Sequence, residues 1–144
     1  MKIEILTETF EPLMALQNYQ QQVNQVANSA NSVFIGRMRE QHMGNTVEQL
    51  YLEHYPGMTE RVLRESVVEA QRRWQINDVL ILHRVGQINP AEAIVLLAVW
   101  SVHRADSIQA NEFLIEILKS RAPFWKKEIL KEGERWIESN TPGR

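Results

Sequence analysis

Basic side chains surround an aromatic block in "LKSRAPFWKKEIL", residues 118–130; they are Lys119, Arg121, Lys126 and Lys127. Crowding and partial burial of amines lower a lysine pKa toward the range useful for acid–base chemistry. Alternation along a strand places Lys126 on the same face as Phe124 and Glu128, with Lys127 on the other. Spacing alone does not show that Lys119 and Lys126 converge. A helix-end lysine that suits the helix dipole is the alternative for Lys119.

A second basic pair lies in "GRMRE", where Arg37 and Arg39 are two residues apart. On a strand this spacing points both guanidinium groups to one face, where they match a phosphate or a carboxylate. A charged edge strand that discourages aggregation is the alternative.

His103 and Arg104 form a third candidate, because they stand where a long apolar strand ends and a helix begins. Backbone N–H groups at such a position help to hold an anion. An ion pair of Arg104 with Asp106 or Glu112 explains the arginine equally well.

The remaining histidines do not indicate a metal site, because the chain has no HExxH pair and no obvious set of three ligands. His83 in "LILHRV" is interpreted as a hydrogen-bonded core histidine, and His54 as a brace for the turn into a helix. The chain has no cysteine. This excludes a disulfide framework, a cysteine nucleophile and a persulfide carried by the chain itself.

The composition fits one domain over residues 1–144, with a short tail at 139–144. Of the 144 residues 44% are hydrophobic, and the formal charge of −2 argues against a nucleic-acid partner. Without a long apolar run or a basic leader we expect no membrane partner and a cytoplasmic location.

Hydrophobic periodicity predicts three helices, over 11–29, 56–74 and 106–120. Leu13, Leu16, Tyr19, Val23 and Val26 form the predicted stripe of the first helix, and Asp106 or Ser107 is the predicted cap of the third. Alternating or continuous apolar runs predict strands over 2–8, 31–40, 47–55, 78–86, 91–103, 124–130 and 135–138. The second and third strands are expected to form a hairpin. The order predicts an α+β domain around a mixed or antiparallel sheet.

Four short motifs together resemble the large, catalytic subunit of molybdopterin synthase. They are "LEHYPGM" (52–58), "HRVG" (83–86), "SVHR" (101–104) and "LKSRAPFWKKE" (118–128). The resemblance implies an α/β hammerhead fold. It also implies an enzyme that transfers sulfur to cyclic pyranopterin monophosphate and forms the dithiolene of molybdopterin, with no cofactor of its own. The sulfur would arrive as a thiocarboxylate on the C-terminal Gly-Gly of a small ubiquitin-like partner, in a heterotetramer built on a homodimer of this chain.

The resemblance also assigns site residues. Lys119 and Lys126 are expected to be catalytic, with Lys119 assigned to proton transfer and Lys126 to binding of the thiocarboxylate or phosphate. Phe34 is expected to line the pocket. The expected substrate-binding residues are Arg37, Met38, Arg39, His103, Arg104, Lys119, Lys126, Lys127 and Glu128.

A non-catalytic scaffold subunit of the same fold is the alternative function. A small RNA-binding domain is disfavoured by the net negative charge and by the lack of a stacking-aromatic motif.

Overall fold

The computed structural model describes residues 1–137, which form three helices and nine strands. The helices are α1 (Pro12–Gln20), α2 (Met58–Arg73) and α3 (Arg104–Ser120). The strands are β1 (Lys2–Leu6), β2 (Ala30–Arg37), β3 (Gln41–His42), β4 (Asn45–His54), β5 (Ile76–Arg84), β6 (Gly86–Ile88), β7 (Ala93–Ser101), β8 (Phe124–Leu130) and β9 (Gly133–Ile137). The predicted α+β class is confirmed. The predicted tail and the predicted strand end at Glu138 lie outside the described residues.

A four-stranded sheet in the order β1-β5-β7-β2 forms the larger half of the molecule. β1 runs parallel to β5, and the other pairs are antiparallel. One face of β5 and β7 packs against α2 and α3, and the other packs against Tyr19 of α1 and Val23 just after it. Because both faces are covered, these strands are apolar along almost their whole length, as in other sheets buried on two sides.

A second sheet in the order β3-β4-β8-β9, with β6 paired to the other edge of β4, forms the smaller half. Its own hydrophobic cluster includes Leu50 and Leu52 of β4 together with Val85 and Ile88. This sheet carries Lys126, whereas α3, which packs on the larger sheet, carries Lys119. The two lysines therefore belong to different halves of the fold.

The predicted hairpin between 31–40 and 47–55 is wrong. β2 pairs with β7 in the larger sheet, and β4 pairs with β8 in the smaller one. A tight hairpin does form between them, but it joins the two-residue β3 to β4. Met43 and Gly44 at its tip both have positive φ, 52° and 76°, as the favoured two-residue hairpin turn requires.

The predicted first helix is too long, because α1 ends at Gln20. Beyond it, the Asn24 side-chain oxygen accepts hydrogen bonds from the N–H groups of Val26 and Ala27, and this local turn competes with helix continuation. Tyr19 and Val23 of the predicted stripe are buried, but Leu13 and Val26 are 66% and 95% exposed.

The third helix begins two residues earlier than predicted, with His103 as its N-cap residue and no side-chain cap. Ser107 is therefore not a cap, and its hydroxyl donates to the Arg104 carbonyl inside the first turn (3.1 Å). In α2 the buried residues Leu63, Ser66, Val67 and Ala70 recur at the three-to-four spacing of one helix face, as the predicted helical periodicity requires. No helix within residues 1–137 has the length and apolar composition needed to cross a membrane.

Candidate active site

A cavity of about 650 Å³ lies between α3 and the end of β2 on one side and β3, β4 and β8 on the other. This volume suits a small-molecule ligand. Its lining combines apolar side chains with two sets of charges. The cationic set is Arg37, Arg39, Lys119 and Lys126, and the acidic set is Glu112, Glu116 and Glu128.

Lys119 enters the cavity from the last turn of α3, at the border of the buried stripe formed by Ile117 and Leu118. Burial is the largest cause that lowers its pKa, and the positive charge of Arg39 lowers it further. Glu116, one turn earlier, acts in the opposite direction. The net effect is an amine that gives up its proton more readily than a lysine in water.

Lys126 enters the same cavity from β8. Burial again lowers its pKa most, and the charge of Lys119 is the next largest cause. Both lysines also line a smaller adjoining cavity beside His83 and Phe124. The structure therefore brings together the two lysines that the sequence left as separate candidates.

A corner at Pro123 joins the helix of Lys119 to the strand of Lys126. After α3 ends, the N–H groups of Arg121 and Ala122 both donate to the Ile117 carbonyl (2.9 and 3.0 Å). The Pro123 carbonyl then accepts a hydrogen bond from the hydroxyl of Thr59, a fully buried residue in the first turn of α2 (3.1 Å). This bond fixes the direction in which β8 leaves the corner.

The end of β2 and the residues after it supply the opposite wall. Phe34, Arg37, Met38 and Arg39 all line the cavity. The strand ends at Arg37, after an irregularity between Gly36 and Arg37, so regular strand alternation does not explain the shared direction of the two arginines. Instead, Met38 is anchored by backbone hydrogen bonds to Glu92 and Ala91, while the Arg37 guanidinium donates to the Ala91 carbonyl (3.3 Å).

His103 and Arg104 do not reach this cavity within one chain. They are exposed and line a separate surface recess with Ser29, Ala30 and Val102. They lie at the start of α3, whereas Lys119 lies at its end, and fifteen residues of α-helix span about 22 Å. No ion pair joins Arg104 to Asp106 or Glu112 among the pairs found in residues 1–137.

Lys127 points to the other face of β8. Its amine lies 5.3 Å from the ring centres of both Tyr51 and Trp136, and 3.4 Å from a carboxylate oxygen of Glu134. Lys127 is therefore separated from the cavity by the strand itself.

Glu128 lines the cavity on the same face as Lys126, and its side chain is held from two sides. Arg135 Nε donates to Oε1 (2.7 Å), and His42 Nδ1 lies 2.8 Å from Oε2. Burial alone would raise the pKa of Glu128, but these two partners outweigh burial and hold it below its usual range. His42 was given no role from sequence, because only the pairing of β4 with both β3 and β8 brings it to Glu128.

His83 is the buried histidine that its apolar strand predicts. The Arg84 carbonyl accepts a hydrogen bond from Nδ1 (2.9 Å), and the ring stacks on Phe124 with 4.0 Å between ring centres. Burial lowers its pKa to about 3, and the nearby charge of Lys119 adds to this effect. The uncharged ring of His83 thus lines the smaller cavity beside the two lysines.

His54, interpreted from the sequence as a brace for the turn into a helix, lies 3.7 Å from Glu60 in the first turn of α2.

Within residues 1–137 no group of three histidine or acidic side chains is arranged to hold a metal ion. The cavity lining supplies amines, guanidinium groups, carboxylates and an imidazole. Such a lining attracts a small anion and supplies groups that move protons.

Comparisons with known proteins identify the family to which the chain belongs. The sequence pattern of the family described as "MoaE protein" matches residues 9–121. The chain is 49% identical over 121 residues to the molybdopterin synthase catalytic subunit of Haemophilus influenzae, with 84% of this chain and 81% of that protein covered. For the Pasteurella multocida protein of the same name the identity is 52% over 110 residues, with 76% and 73% covered.

A solved structure shares the fold as well. The crystal structure of molybdopterin synthase from Staphylococcus aureus superposes with a TM-score of 0.85 at 36% identity, and the match covers 95% of this chain and 98% of that one. The family resemblance and the fold expected from the four motifs are confirmed, and the chain belongs to the MoaE family.

Proposed function

We propose that this chain is a molybdopterin synthase catalytic subunit, which transfers sulfur from a partner's thiocarboxylate to cyclic pyranopterin monophosphate and so forms the dithiolene. The observation that carries the proposal is the pair of partly buried lysines, Lys119 and Lys126, which face one cavity with Arg37 and Arg39. The name shared by relatives about half identical to the chain supports the same reaction.

The charges of the cavity suit the reactants. A thiocarboxylate, a cyclic phosphate and the oxyanions that develop during acyl transfer are all negative, and cationic groups in a partly buried site stabilise them strongly. The protein as a whole has a net charge of −2. The positive field is therefore local to the cavity, where it attracts and orients the substrate.

Proton transfer follows from the lowered lysine pKa values. The thiocarboxylate sulfur forms a bond to a carbon of the precursor, and the oxygen that it replaces must take up protons to leave as water. An amine that releases its proton readily serves this step as a general acid. We assign this role to Lys119, and we assign contact with the thiocarboxylate or phosphate to Lys126.

The composition of the chain calls for an outside sulfur donor. With no cysteine, the protein carries no sulfur that it could transfer as a persulfide. The description of its relatives as a catalytic subunit agrees with a second, sulfur-carrying subunit. We propose a small ubiquitin-like protein whose C-terminal Gly-Gly thiocarboxylate extends into the cavity.

A second copy of this chain is proposed to complete each site. The motifs assign His103 and Arg104 to substrate, yet these residues lie about 22 Å along α3 from Lys119. The assignments of Lys119 and of the His103–Arg104 pair to one substrate are compatible if the start of α3 in one copy lies beside the cavity of the other. Two-fold pairing of identical chains is the commonest oligomeric arrangement and gives two equivalent sites. With one small subunit at each site the assembly is a heterotetramer.

Turnover by the wild-type protein separates the proposed enzyme from the scaffold alternative. The purified chain is mixed with thiocarboxylated small subunit and cyclic precursor, and dithiolene is measured together with the carboxylate regenerated on the small subunit. We expect two carboxylates for each dithiolene, because each donor delivers one sulfur. Binding of the small subunit without any product would favour the scaffold and contradict the proposal.

A further inference from the structure

We infer that His42, oriented by Glu128, is a further catalytic residue of this cavity and acts as the general base for the water that cleaves the acyl–sulfur bond. The inference rests on the proposed function and adds a step to it. After the sulfur has bonded to the pterin, it is still attached to the partner's terminal carbonyl carbon. Water must cleave that bond before the product can leave.

The geometry supports this role through the fixed position of the imidazole. His42 lines the cavity with its side chain only 15% exposed, and Nδ1 lies 2.8 Å from the Glu128 carboxylate. The ring is not aligned for a straight hydrogen bond to that oxygen, so the contact is mainly electrostatic. The ionised carboxylate favours a proton on Nδ1, which leaves Nε2 as the nitrogen free to accept one.

The carboxylate that orients His42 is itself anchored. The Glu128 side chain is 5% exposed, and Arg135 occupies its other oxygen while also donating through Nη2 to the His42 carbonyl (3.1 Å). Arg135 therefore bonds to the backbone of His42 and to the carboxylate beside its ring. A base with a carboxylate close to its ring resembles the arrangement that generates nucleophiles in acyl-transfer enzymes.

The dyad lies next to the lysines. Glu128 and Lys126 are two residues apart on one face of β8, so their Cα atoms are about 7 Å apart. Lys126 is thus placed to stabilise the oxyanion of the acyl carbon, while His42 activates water at the same carbon. Lys119 serves bond formation to sulfur, the His42–Glu128 pair serves the later hydrolysis, and Lys126 contributes to both steps.

The step balances without an oxidant or a reductant. Nε2 of His42 takes a proton from water as the water oxygen bonds to the terminal carbonyl carbon of the partner. The carbon–sulfur bond to that carbon breaks, and its electron pair leaves on sulfur as a thiolate of the pterin. The new carboxyl group of the partner loses its remaining proton to solvent and stays as an ordinary carboxylate, and the first proton passes from His42 to the thiolate or to solvent.

The test is a single-turnover reaction of the complete complex, quenched in acid and examined by mass spectrometry for small subunit joined covalently to the pterin. Wild type should release the small subunit without accumulating this adduct. His42→Gln should form the adduct at the normal rate but hydrolyse it at least about a hundredfold more slowly, because a general base typically contributes at least that factor. Glu128→Gln, a change at a positioning residue, should slow hydrolysis less.

Two further variants make the result specific to this dyad. His54→Gln is the matched control, because His54 also lies near a glutamate, at 3.7 Å, but is not among the cavity-lining residues. It should behave as wild type. His42→Ala should regain hydrolysis when imidazole is added, which a purely structural role would not produce.

The outcomes distinguish this inference from the proposed function. Normal hydrolysis by both His42→Gln and His42→Ala would overturn the role of His42 and leave sulfur transfer intact. Slow hydrolysis that imidazole does not restore would also overturn it, because the defect would then be structural. Absence of both adduct and product with wild type would contradict the proposed function, and the inference would fall with it.

Discussion

Lys119 and Lys126 give up hydration when the chain folds, and each lies near another positive charge. A charged amine in such a place weakens folding, since neither burial nor like charge favours it. A neutral side chain at either position would give a more stable protein. This conflict between stability and local charge is expected of a binding or catalytic site.

Replacement of either lysine by methionine should stabilise the protein at neutral pH. The folded-state pKa is lowered, so the unfolded chain binds more protons between that pKa and 10.5, and the free energy of unfolding of wild type rises with pH in this window. The advantage of Lys119→Met and Lys126→Met should therefore be larger at pH 7 than at pH 10.5. Urea denaturation at the two pH values measures it. Variants clearly less stable than wild type at pH 7 would contradict this account.

His83 should make the fold sensitive to acid. Its pKa falls from 6.5 in the unfolded chain to about 3 in the folded one, so the unfolded state binds more protons between these values. Stability should drop as pH falls through this window, by at most about 4 to 5 kcal/mol. His83→Gln stays neutral and should lose less stability than wild type between pH 6.5 and 4 in chemical denaturation. Parallel curves for the two proteins would show that His83 is not the acid-sensitive group.

The sequence predicted which residues carry the chemistry of the site better than it predicted which of them are in contact. Alternation correctly placed Lys126 and Glu128 on one face and Lys127 on the other. The contact of His42 with Glu128 has no signal in the chain order, because it depends on two strands pairing with opposite edges of β4. The electrostatic effect of Arg39 on Lys119 likewise crosses between elements distant in sequence.

Helices and strands were largely predictable where they bury one face or both faces. α2 shows the expected stripe, and the apolar runs of β5 and β7 form the buried centre of the larger sheet. The prediction of which strands pair with each other was wrong for β2 and β4. Two consecutive predicted strands indicated a hairpin, but periodicity does not reveal that the chain changes sheets between β2 and β4.

The corner between α3 and β8 should be sensitive to Thr59. Thr59 is fully buried, and its hydroxyl accepts from the Tyr55 N–H while donating to the Pro123 carbonyl, both at 3.1 Å. Thr59→Val keeps the shape but leaves these groups unsatisfied, so we expect a loss of about 1–3 kcal/mol in the free energy of unfolding. Sulfur transfer should fall as well, because the corner sets the position of Lys126.

Thr46→Val is the matched control for that change. Thr46 is exposed, and the hydrogen bond of its hydroxyl within residues 1–137 is the one accepted from the Gln41 side chain. The control substitution should change stability by less than about 0.5 kcal/mol. Equal stability of Thr59→Val and wild type in urea denaturation would show that the corner does not depend on this hydroxyl.

Two sets of basic side chains lie at opposite ends of α3, with Lys119 in the cavity and His103 and Arg104 outside it. The motifs group these residues in one site, but motifs carry no information on which copy supplies a residue. Within one chain about 22 Å of helix separates Arg104 from Lys119. The proposed dimer-completed site keeps both assignments.

Mixing two inactive variants tests this arrangement. Lys119→Ala and Arg104→Ala homodimers should each be nearly inactive, since each lacks a group from both sites. After unfolding and joint refolding, a mixed dimer has one site with both defects and one intact site, so activity should return to about a quarter of wild type for two equally mixed chains. Failure to recover activity, with mixed dimers demonstrated by differently tagged chains, would show that each chain builds its own site.

The most direct test of the central claim is a single-turnover measurement of sulfur transfer by wild type, Lys119→Ala, Lys126→Ala and Lys127→Ala. Thiocarboxylated small subunit and cyclic precursor are supplied in excess, and dithiolene is quantified against time. We expect at least about a hundredfold loss of rate for Lys119→Ala and Lys126→Ala, whose side chains line the cavity. We expect a nearly unchanged rate for Lys127→Ala, whose amine lies on the opposite face of β8. A wild-type rate in Lys119→Ala and Lys126→Ala, or an equal loss in all three variants, would contradict the central claim.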